Sequence, residues 1–410
     1  MGSAVSSSDS SRSSWTLQLC KALGCTSYRS LVPPANAPPA LTSNHLYQTS
    51  IDEFLLSVEG ADLLESPASD YEFIRSQYPI PTTPDLTAQV RKFLSIPPER
   101  TRSRSTIWVF TFGTWEVWNL AALPTVTAND LLDSMVEHIF QQAELLYLKA
   151  LNPRSIAFSN FWADMDPSDM QALMAPSAPQ KIDERALETF RILIPKLFDM
   201  TLAPVWHTRP VPPYPHTRAE HMRNAMALTQ RWNEQVERRM VQWRNKARSK
   251  PDGVENEHVL NTSDMPTSES AIEEFVATLP EGMLPQGEEM PNLAFAPYPK
   301  RMGSQLSSTV AGMTELMMNV DMRRSGARDS SGDGAVAANA SLLFTNAREP
   351  CFASTIDMPG LQGQRDRIAC DAVDEYLFHD VSTMSQRAVD DVASRTAKHV
   401  LDTLFPPVRR

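Results

Sequence analysis

Glycine, cysteine and long apolar runs are all scarce in this sequence. Of its 410 residues only 14 are glycine and 4 are cysteine, whereas 32 are proline. Connections rich in proline are rigid because the pyrrolidine ring fixes φ. No apolar run approaches the roughly 18 residues that a membrane-spanning helix needs, and the Ser-rich amino-terminal segment lacks the apolar core of a secretory signal. We therefore expect no membrane span, and the cellular compartment stays open.

Positive charge is also in short supply. The chain has 38 Lys and Arg against 49 Asp and Glu, which gives a formal net charge of -11. A nucleic-acid-binding protein needs a basic face for the phosphate backbone. The Arg-rich segment Arg218–Arg248 has glutamates interleaved with its arginines. We therefore expect no nucleic-acid partner.

The four cysteines are Cys20, Cys25, Cys351 and Cys370, two near each end of the chain. Their spacing lacks the paired C-x-x-C pattern of a zinc site, so we expect no metal, and nothing in the sequence calls for another cofactor. Two local disulfides, Cys20–Cys25 and Cys351–Cys370, would fit an oxidising, secretory compartment. Four free thiols are the alternative, and the sequence leaves both open.

Two apolar segments predict a buried parallel sheet. The run Ile107–Gly113 is almost wholly β-branched or aromatic, and Phe190–Leu197 repeats this character. Such continuous runs are typical of strands buried on both faces. Segments with apolar residues at helical spacing surround them, so the sequence favours an α/β fold. These predicted helices are Trp15–Leu23, Tyr47–Val58, Leu86–Leu94, Thr127–Leu151, His216–Ala247 and Ser385–Leu404.

Composition divides the chain into four parts. A Ser-rich, flexible start (residues 1–14) precedes the first part of the core (residues 15–248). A polar, irregular insertion (residues 249–339) follows, with predicted helices only at Ala271–Leu279 and near Val310–Val320. The core resumes at residues 340–410 with a possible strand at Ala340–Phe344, and another short strand is possible at Ser155–Phe158.

The residues after the first predicted strand are the first candidates for a site. Gly113 ends the apolar run, and Trp115 and Glu116 follow it. Open α/β sheets bind ligands at the carboxyl ends of their strands. Glu116 could be half-buried with a raised pKa, but we expect a solvated loop carboxylate. Trp115 and Trp118, with Trp206 from a later loop, could stack on sugar rings, although core packing is the commoner use of tryptophan.

The order of several segments resembles the SGNH hydrolases, the GDSL-type lipases and esterases. The resemblance implies a three-layer α/β/α sandwich with a parallel sheet, and a serine that attacks an ester carbonyl with help from a histidine three residues after an aspartate. In that family a glycine and an asparagine complete the oxyanion hole. The segments that carry the resemblance are Trp15–Cys25, Asp85–Leu94, Ile107–Glu116, Phe190–Pro204, Leu228–Val236 and Cys370–Val392.

The catalytic residues of that family carry over only in part. Asp380 occupies the aspartate position, but Thr383 stands where the histidine belongs, and threonine is no base near neutral pH. Gly113 matches the glycine of the third block, while Trp115 replaces its asparagine and Glu116 its aspartate. Ser3 is a weak remnant of the nucleophile. Two other histidines, His379 and His207, are weak candidates for the base, and Asp380 could instead cap the last helix.

Two hypotheses follow from this resemblance. The first is an ester hydrolase for acyl or carbohydrate esters whose catalytic apparatus is impaired at Thr383. The second is a non-catalytic pseudoenzyme that binds a glycan, lipid or protein at the edge formed by Trp115 and Trp118, together with the loop Pro204–Pro215. A small ester or glycan ligand is compatible with both, and the oligomeric state stays open.

Overall fold

The structure is a computed structural model, and apart from Lys300 its described residues belong to the larger of the two units into which the chain divides. They form a mixed α/β fold with many helices and a small parallel sheet. The structure describes residues 14–32, 40–60, 70–98, 105–152, 154–159, 189–245, 300–306, 344, 346–352, 370, 372, 375–380 and 383–405.

Eight α-helices lie within these ranges. Two 3₁₀ turns, Met200–Leu202 and Pro204–Thr208, precede the helix Arg218–Asn245. The helices are α1 (Trp15–Ala22), α2 (Asn44–Gly60), α3 (Phe73–Gln77), α4 (Leu86–Leu94), α5 (Thr114–Leu120), α6 (Thr125–Ala150), α7 (Arg218–Asn245) and α8 (Gln386–Leu404). No helix in this part of the chain is both long and apolar enough to cross a membrane.

The central sheet has the strand order β1 (Ile107–Val109), β2 (Thr189–Pro195) and β3 (Lys300–Leu306). β1 and β2 are parallel, with Trp108 opposite Ile192. The first six residues of β2 are buried, as expected for a central strand that is covered on both faces. Two further parallel strands, β4 (Asn346–Pro350) and β5 (Tyr376–Phe378), form a separate pair.

Strand β3 lies inside the segment 249–339, where the sequence predicted an irregular insertion with two helices and no strand. Arg301 of β3 is buried and makes two hydrogen bonds to Glu144 of α6, at 2.7 and 3.1 Å. The same carboxylate accepts a bond from the indole of Trp243 on α7. A bidentate ion pair of this kind has strict geometry, so it ties the strand to both long helices.

Other predicted elements differ from those found. Residues 155–158 form turns rather than a strand. Of the strand predicted at Ala340–Phe344 only Phe344 is described, and it is not part of a strand, whereas Asn346 begins β4. The first strand stops at Val109, although the Phe110 N–H still donates to the Leu193 carbonyl at 2.9 Å. The predicted helices Ala271–Leu279 and Val310–Val320 lie outside the described residues.

One of the two possible disulfides is present. Cys351 and Cys370 are bonded, with their Cα atoms 5.0 Å apart. The Cys20–Cys25 disulfide is absent, because both of these cysteines are free thiols. Cys20 is buried in the last turn of α1, where its Sγ donates to the Ser27 carbonyl at 3.7 Å. Burial, together with the neighbouring Cys25, raises the pKa of this thiol to about 12, so Cys20 is a poor nucleophile for disulfide exchange.

Gly113 makes the sharp turn from β1 into α5. Its φ is +112°, a backbone conformation that residues with a Cβ atom rarely adopt. A Cβ atom there would also lie 2.5 Å from Trp232 Cε2 and 2.7 Å from Leu197 Cδ1. Glycine is therefore required both by the backbone and by the close approach of α7.

Two glycine-to-alanine substitutions separate the effect of backbone strain from the effect of the close approach of α7. We expect Gly113→Ala to lower the free energy of unfolding by about 3 kcal/mol or more, because strain and overpacking add. Gly24→Ala is the control, since Gly24 also has a positive φ, +66°, but open space around it; it should cost about 1–2 kcal/mol. Equal costs in urea unfolding would show that Trp232 does not constrain the turn.

Candidate functional site

A buried carboxyl group, that of Glu116, lies just beyond the carboxyl end of β1. It is in the first turn of α5 and is wholly inaccessible to solvent. One oxygen, Oε1, accepts hydrogen bonds from the N–H and the hydroxyl of Thr42, both at 2.6 Å. The other, Oε2, accepts one from the Gly113 N–H, also at 2.6 Å. The group therefore joins the turn after β1 to the chain just before α2.

The environment of Glu116 overturns the expectation of a solvated carboxylate. Burial raises its pKa, and the three hydrogen bonds from Thr42 and Gly113 partly offset this effect because they favour the ionised form. Sequence reasoning missed this because Thr42, 74 residues away, supplies two of the three donors. The contact has a direct chemical consequence. The Gly113 N–H already has an acceptor, so it does not serve as an oxyanion donor in this arrangement.

Helix α7 packs against the same edge of the sheet, just after the end of β2. The side-chain amide of Asn233 pairs with the backbone of Leu197: its Oδ1 accepts from the Leu197 N–H at 2.7 Å, and its Nδ2 donates to the Leu197 carbonyl at 3.0 Å. Outside this contact is a depression of about 490 Å³, whose wall includes Lys196 and Glu237. These two charges pair with each other at 3.4 Å. Asp199 and Glu234 also line the depression, so its wall carries more negative than positive charge.

Three tryptophans meet beside this edge. The Trp115 and Trp118 rings pack edge to face with their centroids 5.8 Å apart, and Trp118 packs in the same way on Trp206 at 5.7 Å. Trp206 is buried, whereas Trp115 and Trp118 are half-buried. The three predicted ligand-stacking residues are thus brought together from α5 and from the turn Pro204–Thr208. Two of them keep part of their surface open to solvent.

The side chain that orders these rings is Arg209. Its guanidinium carbon is 4.9 Å from the ring centroids of both Trp118 and Trp206, and 4.5 Å from that of Tyr78. Its Nη1 donates to the Trp118 carbonyl, and its Nε donates to His221 Nδ1 at 3.4 Å. Burial lowers the Arg209 pKa to about 10, so the group stays charged at neutral pH. A single arginine in a proline-rich loop gave no sequence signal for this role.

The loop before α8 contains Asp380 and, three residues later, Thr383, where the resemblance predicted a histidine. Asp380 is buried, and its Oδ1 accepts from the Thr383 N–H at 2.8 Å. It does not cap α8, because the N-cap of that helix is Ser385. His379 is buried with its ring 4.3 Å from that of Phe352. These contacts hold the loop together, and none of them presents a base to solvent.

The remaining catalytic candidates from the sequence are His207 and Ser3. His207 is exposed on the turn Pro204–Thr208, and Ser3 lies outside the described residues. A pair that the sequence did not suggest, Ser304 and His399, is 3.1 Å apart between β3 and α8. A working triad also needs a group that orients the histidine, and among the described residues no carboxylate bonds to His399.

Comparison with known proteins adds no family to this picture. Neither a protein-family model nor a curated protein sequence matches the chain. No group of three or more metal-ligating side chains occurs within the described ranges. The function is therefore inferred from the arrangement around Glu116, the tryptophans and Arg209.

Replacing Glu116 tests the role of the buried carboxyl group. We expect Glu116→Gln to lower the free energy of unfolding by roughly 1–3 kcal/mol, because an amide NH₂ cannot accept a bond from a facing N–H donor. Glu237→Gln, at a largely exposed carboxylate, should change it by less than about 0.5 kcal/mol. Chemical denaturation of the two variants gives the comparison.

The pH dependence of this difference follows from the pKa shift. Because burial raises the folded-state pKa of Glu116 above the ordinary 4.5, the folded protein keeps this proton to a higher pH than the unfolded chain. The stability of the wild type relative to Glu116→Gln is then greatest below about pH 4.5 and falls as the pH rises through the folded pKa. A difference that rises with pH would show that the hydrogen bonds outweigh burial.

Proposed function

We propose that this chain is a non-catalytic ligand-binding protein, a pseudoenzyme related in fold to the SGNH hydrolases. The observation that carries the proposal is the hydrogen bond from the Gly113 N–H to Glu116. It occupies the N–H that the resemblance to the SGNH hydrolases assigns to the oxyanion hole. At the same edge, Trp115 and Trp118 keep partly exposed rings.

The relation to the SGNH hydrolases, with a three-layer α/β/α sandwich, is part of this proposal. It is supported by the order of the segments that resemble that family. It is also supported by the parallel pairing of β1 with β2 and by the position of Asp380 and Thr383 just ahead of the last helix. A mixed α/β fold with a small parallel sheet is compatible with this ancestry.

The ligand expected at this edge has a flat, weakly polar face. Indole rings bind such faces through dispersion and CH–π contact, and sugar rings present faces of this kind. The neighbouring loop also exposes apolar side chains, with Val211 65% and Tyr214 89% exposed. We therefore propose a glycan as the ligand, with lipid or protein as alternative outcomes of the test.

A second candidate is an impaired hydrolase of acyl or carbohydrate esters. It is favoured by one contact, the bond between Asp380 and the Thr383 N–H, which keeps these two residues adjacent in the loop before α8. In this case the chemistry would depend on Asp380 with His379 or His207 as the base, and on Ser3 as the nucleophile. Residual turnover would be slow, since Thr383 cannot accept the proton of a serine hydroxyl near neutral pH.

Glycan arrays followed by titration test the binding proposal. We expect Trp115→Ala to weaken glycan binding about tenfold or more, because half-buried aromatic anchors carry much of the binding energy. Trp15→Ala removes a half-buried indole from α1 and should leave the affinity unchanged. Equal affinities for the wild type and Trp115→Ala would refute the proposed edge.

An esterase assay distinguishes the second candidate, the impaired hydrolase, from the binding protein. The binding proposal predicts no turnover of short p-nitrophenyl esters at high protein concentration. Turnover that disappears in both Ser3→Ala and Asp380→Asn would establish the hydrolase and exclude a purely non-catalytic role.

A further inference from the structure

The loop that leads into α7 is unusually rich in proline. Its segment Pro210–Pro215 has the sequence PVPPYP. Proline fixes its own φ and restricts the residue before it to extended backbone. Arg209, which precedes the first of these prolines, has φ −58° and ψ 137°, close to the polyproline II values of about −75° and +145°. The sequence and the backbone therefore favour a short polyproline II segment at residues 209–213.

Burial along this segment repeats every three residues. Arg209 and Pro212 are buried, whereas Val211, Pro213 and Tyr214 are exposed. A polyproline II helix has three residues per turn, so this pattern places one ridge against the protein and leaves the others open to solvent. Val211 is 65% and Tyr214 is 89% exposed. These two side chains are three residues apart, as neighbours on one ridge are.

The loop is held in place at both ends and in the middle. The buried guanidinium of Arg209 fixes the first end through the contacts described above. Gln77 Nε2 donates to the Val211 carbonyl at 3.3 Å. At the second end His216 is buried, with its Nε2 3.1 Å from the Asp70 carbonyl oxygen. The exposed ridge is thus preorganised, and a partner that binds it loses little conformational entropy in the loop.

The shape and chemistry of this ridge indicate the kind of partner. Protein modules that recognise proline-rich segments bind them in grooves lined with aromatic side chains, and they exploit the preformed polyproline II backbone. The segment Pro210–Pro215 has no charged side chain, so its recognition depends on apolar and aromatic contact. An anionic membrane surface is a poorer partner, because the chain has a formal net charge of -11.

We propose that the loop Pro210–Pro215 is a docking segment for a partner protein with an aromatic-lined groove that recognises polyproline II ligands. The ridge formed by Val211 and Tyr214 enters this groove, and the prolines hold its backbone in the bound conformation. The proposal does not depend on the glycan proposed above, because the glycan is expected on the rings of Trp115 and Trp118.

Titration of the full chain with isolated SH3, WW and EVH1 domains, one at a time, tests this docking segment. We expect saturable binding to at least one of these domains. Tyr214→Ala should weaken that binding about tenfold or more, because aromatic anchors carry much of the energy of an interface. Val211→Ala should weaken it by a smaller factor, about threefold. Both side chains are largely exposed, so neither substitution disturbs the core.

Val126→Ala is the matched control. It makes the same substitution as Val211→Ala at a side chain on α6 that is 73% exposed, and it should leave the affinity for the domain unchanged. Absence of saturable binding to every domain of the three classes would overturn the proposal, and so would equal affinities for Tyr214→Ala and Val126→Ala. Tyr214-dependent binding to phosphatidylcholine vesicles instead of the domains would assign the loop to a membrane surface and overturn it as well.

Discussion

The carboxyl group of Glu116 is the contact on which the arrangement of this sheet edge depends. Three donors converge on it, two from Thr42 and one from Gly113, each at 2.6 Å. A buried carboxyl group is tolerated only when its oxygens are satisfied, so the turn after β1 has little freedom to move. The turn is fixed a second time by Trp232, which occupies the space that a side chain at Gly113 would need.

This rigidity determines what the edge can do. A backbone N–H that already donates to a carboxyl group does not stabilise a developing oxyanion, and the loop around Asp380 is held by its own hydrogen bond to Thr383. The tryptophans beside it are held by a different buried charge. The guanidinium of Arg209 packs on the rings of Trp118 and Trp206, and cation–π contacts of this kind are strongest when they are desolvated. Together these contacts describe a rigid surface at this edge of the sheet.

Local patterns predicted much of the fold. The spacing of apolar residues predicted α4 with its observed bounds, Leu86–Leu94. The continuous apolar run Phe190–Leu197 predicted β2. The strand β3 was missed because its sequence, KRMGSQL, is mostly polar, and its burial depends on Glu144, 157 residues away. The site was harder to predict from the sequence than the fold. The grouping of Trp115, Trp118 and Trp206 could be proposed from the sequence, but the burial of Glu116 and Arg209 depends on partners that no local pattern specifies.

The exchange rate of the Gly113 amide hydrogen tests the central claim most directly. If this N–H donates to a buried Glu116, it exchanges only when the protein unfolds globally, and Glu116→Gln makes its exchange faster. NMR hydrogen exchange on the two proteins at one pH gives both rates. Exchange of the wild-type amide at the rate of an exposed peptide would contradict the account, because the donor would then be open to an oxyanion.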